Sequence, residues 1–175
     1  SRSGVPILYG TDAVHGHNNV LDATIFPHQI GLGATASPDL VRRVARAAAL
    51  ETAATGARWS FSPCLAVAGD IRWGRTYESF GSDTELVTAL GRAAVEGWHG
   101  DDLVGTGVLA CAKHYVGEGA MRWGSAGAHR HPWIDWWDAW APGWQIDQGD
   151  VDLDEDELRR THLPPFAAAV EAGVL

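Results

Sequence analysis

The 175 residues carry 13 Lys or Arg against 22 Asp or Glu, a formal charge of -9, which excludes the basic surface that nucleic acid or an anionic membrane would require. Hydrophobic residues make up 46% and charged residues 20%, the balance of a chain that packs a core rather than one that stays disordered. No apolar run approaches the roughly 18 residues of a membrane span, and Ser1-Arg-Ser-Gly-Val-Pro lacks the charged and apolar regions of a secretory leader.

Val5-Pro-Ile-Leu-Tyr9 reads as a short strand buried on both faces, closed by Gly10, and residues 11–35, rich in Gly, His, Asn and Asp, as a long loop. Ser37-Pro38 opens a helix, with Ser as N-cap, Pro at the first position, Asp39 in the first turn, Leu40, Val41, Val44 and Ala48 on one stripe and Gly56 as the stop. Trp59 to Phe61 is the next strand, followed by a polar loop over 65–82 and a helix from about Thr84 to Trp98 with Leu86, Leu90, Ala93 and Ala94 on one face. Val108 to Ala112 supplies a third strand, ending in Lys113-His114-Tyr115. A Trp-rich stretch at about 121–150 comes next, then an acidic first turn at Asp154-Glu-Asp-Glu, a helix restarted by Pro164-Pro165 and an apolar stub at Val174-Leu175.

Strands alternating with helices, with polar clusters after each strand, indicate parallel βα units whose functional face is the carboxyl end of the sheet. Because a closed (β/α)8 barrel takes about 250 residues, the expectation for 1–175 is an α/β fold, a partial TIM-type barrel truncated at both ends. Cys64 and Cys111 sit in apolar contexts, match no metal spacing and are expected to be buried packing residues.

Three groups of different chemistry follow three different strands. Asp12 lies in Tyr-Gly-Thr-Asp-Ala-Val-His-Gly-His-Asn-Asn, where a carboxylate can accept hydrogen bonds from several hydroxyls or tie down its own loop. Arg72 and Arg75 flank Trp73-Gly74; either can present a planar fork to vicinal hydroxyls while the other pins the loop to Asp70 or Glu78. Lys113, the one lysine in a chain with twelve arginines, is adjacent to His114, and at a frayed strand end both side chains can turn into one pocket.

These residues resemble a known family. Residues 9–19, Ala-Thr-Ile-Phe-Pro-His at 23–28, Gly-Leu-Gly-Ala-Thr at 31–35, Arg-Trp-Gly-Arg-Thr-Tyr-Glu-Ser-Phe at 72–80, Ala-Cys-Ala-Lys-His-Tyr-Val-Gly at 110–117 and His-Leu-Pro-Pro-Phe at 162–166 are similar to the amino-terminal barrel of glycoside hydrolase family 3, of the β-glucosidase and exo-glucanase type. The resemblance implies a retaining exo-acting hydrolase that releases β-linked glucose from nonreducing ends. Asp12, Arg75, Lys113 and His114 would grip the hydroxyls of the innermost sugar. The nucleophilic aspartate of a Ser-Asp-Trp segment and the acid glutamate of a second domain are expected outside these residues, so the piece itself is expected to be inactive. Expected partners are an oligosaccharide or β-glucoside, the remainder of the barrel and a second domain, with no cofactor, metal, nucleic acid or membrane; a periplasmic or extracellular location follows by analogy alone. The sequence departs from the family at Asp22, where glycine is usual, at Ile71 for proline, and at Glu118 and Ala120 for the Asp and second Gly of a Gly-Asp-Gly-Gly run.

Trp136, Trp137 and Trp140 can wall an outer subsite, since aromatic faces stack on pyranose C–H faces, or can pack the insertion against the barrel. The rivals are a non-catalytic carbohydrate binder, a binuclear metallohydrolase using His15, His17, Lys113 and His114, and a Schiff-base aldolase using Lys113.

Overall fold

The computed structural model describes residues 3–174 except 127–145 and 148. Trp136, Trp137 and Trp140 therefore lie outside the described residues, as does Leu175. Strand β1 (Gly10–Thr11) runs parallel to β2 (Trp59–Ser60), with Gly10 opposite Trp59 and Thr11 opposite Ser60. On the far side of β2 the segment 108–113 continues the layer in parallel: Ser60 N donates to Leu109 O at 2.9 Å, Cys111 N to Ser62 O at 2.9 Å and Leu65 N to Lys113 O at 2.9 Å. Successive strands are thus neighbours, with a helix in each connection, as parallel pairing demands.

Five helices accompany this layer among the described residues: α1 (Gln29–Gly33), α2 (Pro38–Ala54), α3 (Thr84–His99), α4 (Glu155–Glu157), which passes into a π-helical turn at Leu158–His162, and α5 (Pro164–Glu171). Polar side chains start four of them: His28 Nδ1 accepts from Gln29 N at 3.2 Å, Ser37 Oγ from Leu40 N at 3.3 Å, Asp83 Oδ1 from Leu86 N at 2.7 Å and Asp154 Oδ1 from Glu157 N at 2.7 Å. The apolar stripes of α2 (Val41, Ala45, Ala48, Ala49) and α3 (Val87, Leu90, Ala94, Trp98) meet in a core that Leu65, Val108 and Ala110 of the sheet and Phe166 and Ala169 of α5 complete. Small residues permit a close crossing. A Cβ placed on Gly97 of α3 would stand 2.3 Å from the Arg42 carbonyl oxygen and 2.7 Å from the Ala45 Cβ of α2.

The fold departs from the sequence reading at three points. The strand expected at Val5–Tyr9 pairs only at Gly10–Thr11, and Val5, Ile7, Leu8 and Tyr9 are 67, 88, 50 and 68% exposed. Apolar character predicted burial, but no described residue covers this margin. The long loop expected at 11–35 contains α1, where two glycines in five residues hide the helix from propensity; tertiary packing fixes it instead, since a Cβ on Gly33 would lie 1.8 Å from the Phe80 carbonyl oxygen. Cys64 is fully buried as expected, whereas Cys111 is only half-buried. The Val174 backbone N–H closes α5 onto Ala169 O at 3.0 Å, and the stub expected at Val174-Leu175 runs outside the described residues. Asp22, at a position usually glycine in the resembled family, has φ of 66°, a left-handed conformation that Asp tolerates better than most residues.

Candidate active site

Asp12 follows β1, Arg75 stands in the loop after β2, and Lys113 and His114 end the third parallel segment, so all four reach the carboxyl edge of the sheet. They line one cleft of ≈ 640 Å³, together with His15, Asn18, His28, Tyr77, Glu78 and Cys111, above a floor of Trp59 and Phe61. Lys113 Nζ stands 3.1 Å from Asp12 Oδ1, and Arg75 Nη2 stands 2.6 Å from His114 Nε2. The Lys113–His114 peptide bond is cis, and both side chains face the cleft.

Arg75 is held by two carboxylates. Its Nε donates to Glu78 Oε1 at 2.7 Å and its Nη2 to Glu78 Oε2 at 2.9 Å, while Nη1 faces Glu118 Oε1 at 3.7 Å. Of five guanidinium protons, three are engaged by Glu78 and His114, and the two on Nη1 make no hydrogen bond among the described residues. Burial opposes the ionisation of Glu78, but the Arg75 hydrogen bonds and the positive charges of Arg75 and Lys113 outweigh it and hold the carboxyl below its ordinary range. The Glu78 hydrogen bonds in turn raise the Arg75 pKa.

That depression makes a prediction. A carboxyl with a lowered folded-state pKa contributes stability that is complete above its unfolded value and is lost as pH falls through the folded one. Glu78→Gln in the full-length protein is therefore expected to lower the melting temperature at neutral pH and to flatten its decline below about pH 4.5. Parallel pH–melting curves for wild type and variant would count against this assignment.

Arg72 has the other role. It forms a bidentate pair with Asp70, with Nε 2.9 Å from Oδ1, and its guanidinium lies 4.3 Å from the Trp123 ring centroid. The Arg72 hydrogen bonds hold Asp70 down at about 2. The two arginines, interchangeable from sequence, divide into an exposed loop pin at Arg72 and a cleft residue at Arg75.

Of the four proposed metallohydrolase ligands, His15, Lys113 and His114 line the cleft and His17 does not. His17 is buried away from the cleft, with Nε2 3.0 Å from Thr55 Oγ1, and since that hydroxyl donates to Thr52 O, the imidazole donates to it. His15 Nδ1 donates to Phe26 O at 2.9 Å, and its ring stacks on His28 at 4.4 Å. Burial, and then the neighbouring His15, lower the His28 pKa, and His28 Nδ1 accepts from Gln29 N at 3.2 Å. Among the described residues, Cys64, His114 and Glu118 do bring potential ligand atoms within 4.8 Å of one another. Burial, however, pushes the Cys64 thiol up to about 12, and the Arg75 guanidinium opposes a cation beside Glu118.

Sequence reasoning weighed Glu78 as a partner of either arginine and noted Glu118 as a departure from a pattern, but did not place them around Arg75. His28, Tyr77 and Cys111 were also missed as cleft residues, and only their positions inside the quoted motifs could have flagged them.

The model for the glycosyl hydrolase family 3 N-terminal domain matches residues 1–132. The chain belongs to glycosyl hydrolase family 3. Within the family it is 35% identical to a lysosomal β-glucosidase of Dictyostelium discoideum over 97% of this chain and 19% of that protein. It is 37% identical to a β-xylosidase of Formosa agariphila over 99% of this chain and 22% of that protein. The crystal structure of an exo-1,3/1,4-β-glucanase from a Pseudoalteromonas species superimposes with a TM-score of 0.81 at 40% identity, covering 97% of this chain and 19% of that one. The chain thus spans about a fifth of the length of these family 3 relatives.

Proposed function

We propose that the chain is the sugar-gripping part of a retaining, exo-acting β-glycosidase that removes β-linked glucose from nonreducing ends. The observation that supports this most is the meeting of four unlike polar groups in one cleft, with Lys113 Nζ 3.1 Å from Asp12 Oδ1 and Arg75 Nη2 2.6 Å from His114 Nε2. A pyranose presents hydroxyls that each donate and accept. Asp12 accepts only and Lys113 and Arg75 donate only, so the set satisfies adjacent hydroxyls in both senses, while Trp59 and Phe61 offer apolar surface to a ring face.

Bond cleavage with retention takes a nucleophilic carboxylate and an acid about 5 to 5.5 Å apart. We assign neither to Asp12, whose partner is Lys113, nor to Glu78 or Glu118, which are spent on Arg75 and His114. In this reading both come from the parts of the family's length that these residues do not span, with the remaining strands closing a (β/α)8 barrel and a second domain covering the cleft. The segment at about 121–150, with Trp136, Trp137 and Trp140, is the proposed wall of an outer subsite.

The full-length enzyme is expected to release nitrophenol from an aryl β-glucoside and to form the β-anomer of glucose first, which anomer-resolved NMR detects. The 175-residue polypeptide alone is expected to release none, because hydroxyl contacts without nucleophile and acid do not lower the barrier. First appearance of the α-anomer would refute retention, and turnover by the 175 residues alone would refute the placement of the carboxylates. Sugar binding without turnover in the full-length protein would leave a carbohydrate-binding protein.

A further inference from the structure

Glu118 comes from a tight loop that glycines allow. Gly117 and Gly119 have φ of 100° and 92°, conformations unfavourable to side-chain-bearing residues. A Cβ on Gly119 would lie 2.4 Å from the Val67 carbonyl oxygen, and Gly119 O accepts from Gly69 N at 2.8 Å. The loop is thereby seated against 67–69, and the Glu118 side chain, 14% exposed, is directed beneath His114.

The hydrogen bonds around His114 leave one arrangement of its protons. Nε2 lies 2.6 Å from Arg75 Nη2, and a guanidinium can only donate, so Nε2 must carry the lone pair. Nδ1 lies 2.6 Å from Glu118 Oε2, and a carboxylate can only accept, so Nδ1 carries the proton. The same oxygen faces the His114 backbone N–H at 3.3 Å and the Cys64 Sγ at 3.9 Å. Oε1 turns to Arg75 Nη1 at 3.7 Å.

We infer that Glu118 is a positioning residue that holds the His114 proton on Nδ1 and so presents Nε2 as a hydrogen-bond acceptor for one substrate hydroxyl. The inference rests on the sugar-binding reading above and adds the polarity of one contact. Without substrate, the Nε2 lone pair is occupied by Arg75. A hydroxyl that displaces Arg75 from this lone pair would donate to Nε2 and can still accept from the Arg75 guanidinium, a role open to a group that has both a lone pair and a proton. Glu118 does not touch the sugar; it decides which way that hydroxyl must point its hydrogen.

The test uses the full-length enzyme and a series of aryl β-glucosides in which each ring hydroxyl in turn is replaced by hydrogen. Glu118→Leu is expected to lower kcat/KM about 10- to 100-fold, the range for loss of a hydrogen bond to a charged group. Glu118→Gln, which keeps an oxygen for the Nδ1 proton, is expected to recover most of it. The deciding readout is the rate penalty for each missing hydroxyl: in Glu118→Leu the penalty should collapse at one ring position, the same one as in His114→Phe, and persist at the others. A uniform fall in rate with every penalty unchanged would show a merely structural role and overturn the inference, as would wild-type kinetics in Glu118→Leu. If that variant does not fold, the imidazole nitrogen spectrum of the wild-type enzyme decides, with the His114 signals assigned by their loss in His114→Asn. A proton on Nδ1 and a pyridine-like Nε2 support the inference, and a protonated Nε2 overturns it. Full activity in Asp12→Ala would instead remove the underlying sugar reading, so the two failures are distinguishable.

Discussion

Asp12→Ala in the full-length enzyme is expected to lower kcat/KM for an aryl β-glucoside by about 10²- to 10⁴-fold while leaving the protein folded. The carboxylate lies beside Lys113, whose Nζ is 3.1 Å from Oδ1, and its second oxygen has no hydrogen bond among the described residues, which leaves it to accept from sugar hydroxyls. Two hydrogen bonds to a charged acceptor at about 1.5–3 kcal/mol each give that range, and such contacts tighten as the oxocarbenium ion forms. The loss should therefore fall on kcat as well as KM. The Asp12 side chain is 63% exposed but that of Lys113 only 13%, so the loss of stability should exceed the at most about 1 kcal/mol of a fully exposed pair without unfolding the protein. Lys113→Ala is expected to act alike, since it removes the other half of the pair. Unchanged kinetics in either variant would remove the assignment.

Trp98→Ala is expected to have the largest effect on stability, about 3–5 kcal/mol. Trp98 is 2% exposed, sits at the end of α3 in the core shared with α2, and its carbonyl oxygen accepts from Val108 N at 3.0 Å. Removing the indole opens a void where the neighbouring glycine already draws α2 and α3 as close as backbone atoms permit, so collapse cannot readily fill it. A denaturation midpoint that falls with unchanged slope would report the loss, and a shift of less than about 1 kcal/mol would show that the core repacks freely.

Helices α2 and α3 were legible because their signals are local: a Ser-Pro start, an apolar stripe and a glycine stop for α2, and an apolar stripe for α3. The acidic first turn at Asp154 and the Pro164-Pro165 restart were legible for the same reason. Helix α1 was not, since its stability lies in the contact of Gly33 with Phe80, which no window of sequence contains. The strand at Val5–Tyr9 was misplaced because apolar composition reports a tendency to be covered, not what covers it. In the cleft, Asp12, Arg75, Lys113 and His114 each stood out as polar groups after strands. Their partners were harder to see: Glu118 meets Arg75 and His114 only because glycines on both sides fold its loop under the third strand segment. Side-chain chemistry alone left the two arginines equivalent, and it was the resemblance that pointed to Arg75; the carboxylate each one meets gives the physical reason.

The double anchoring of Arg75 by Glu78 and Glu118 has a thermodynamic consequence. A free arginine loses considerable rotational freedom when it clasps a ligand, and that loss subtracts from affinity. Here the freezing of the guanidinium is accomplished during folding, so an arriving saccharide meets a rigid comb of N–H bonds and sacrifices mainly its own mobility and hydration.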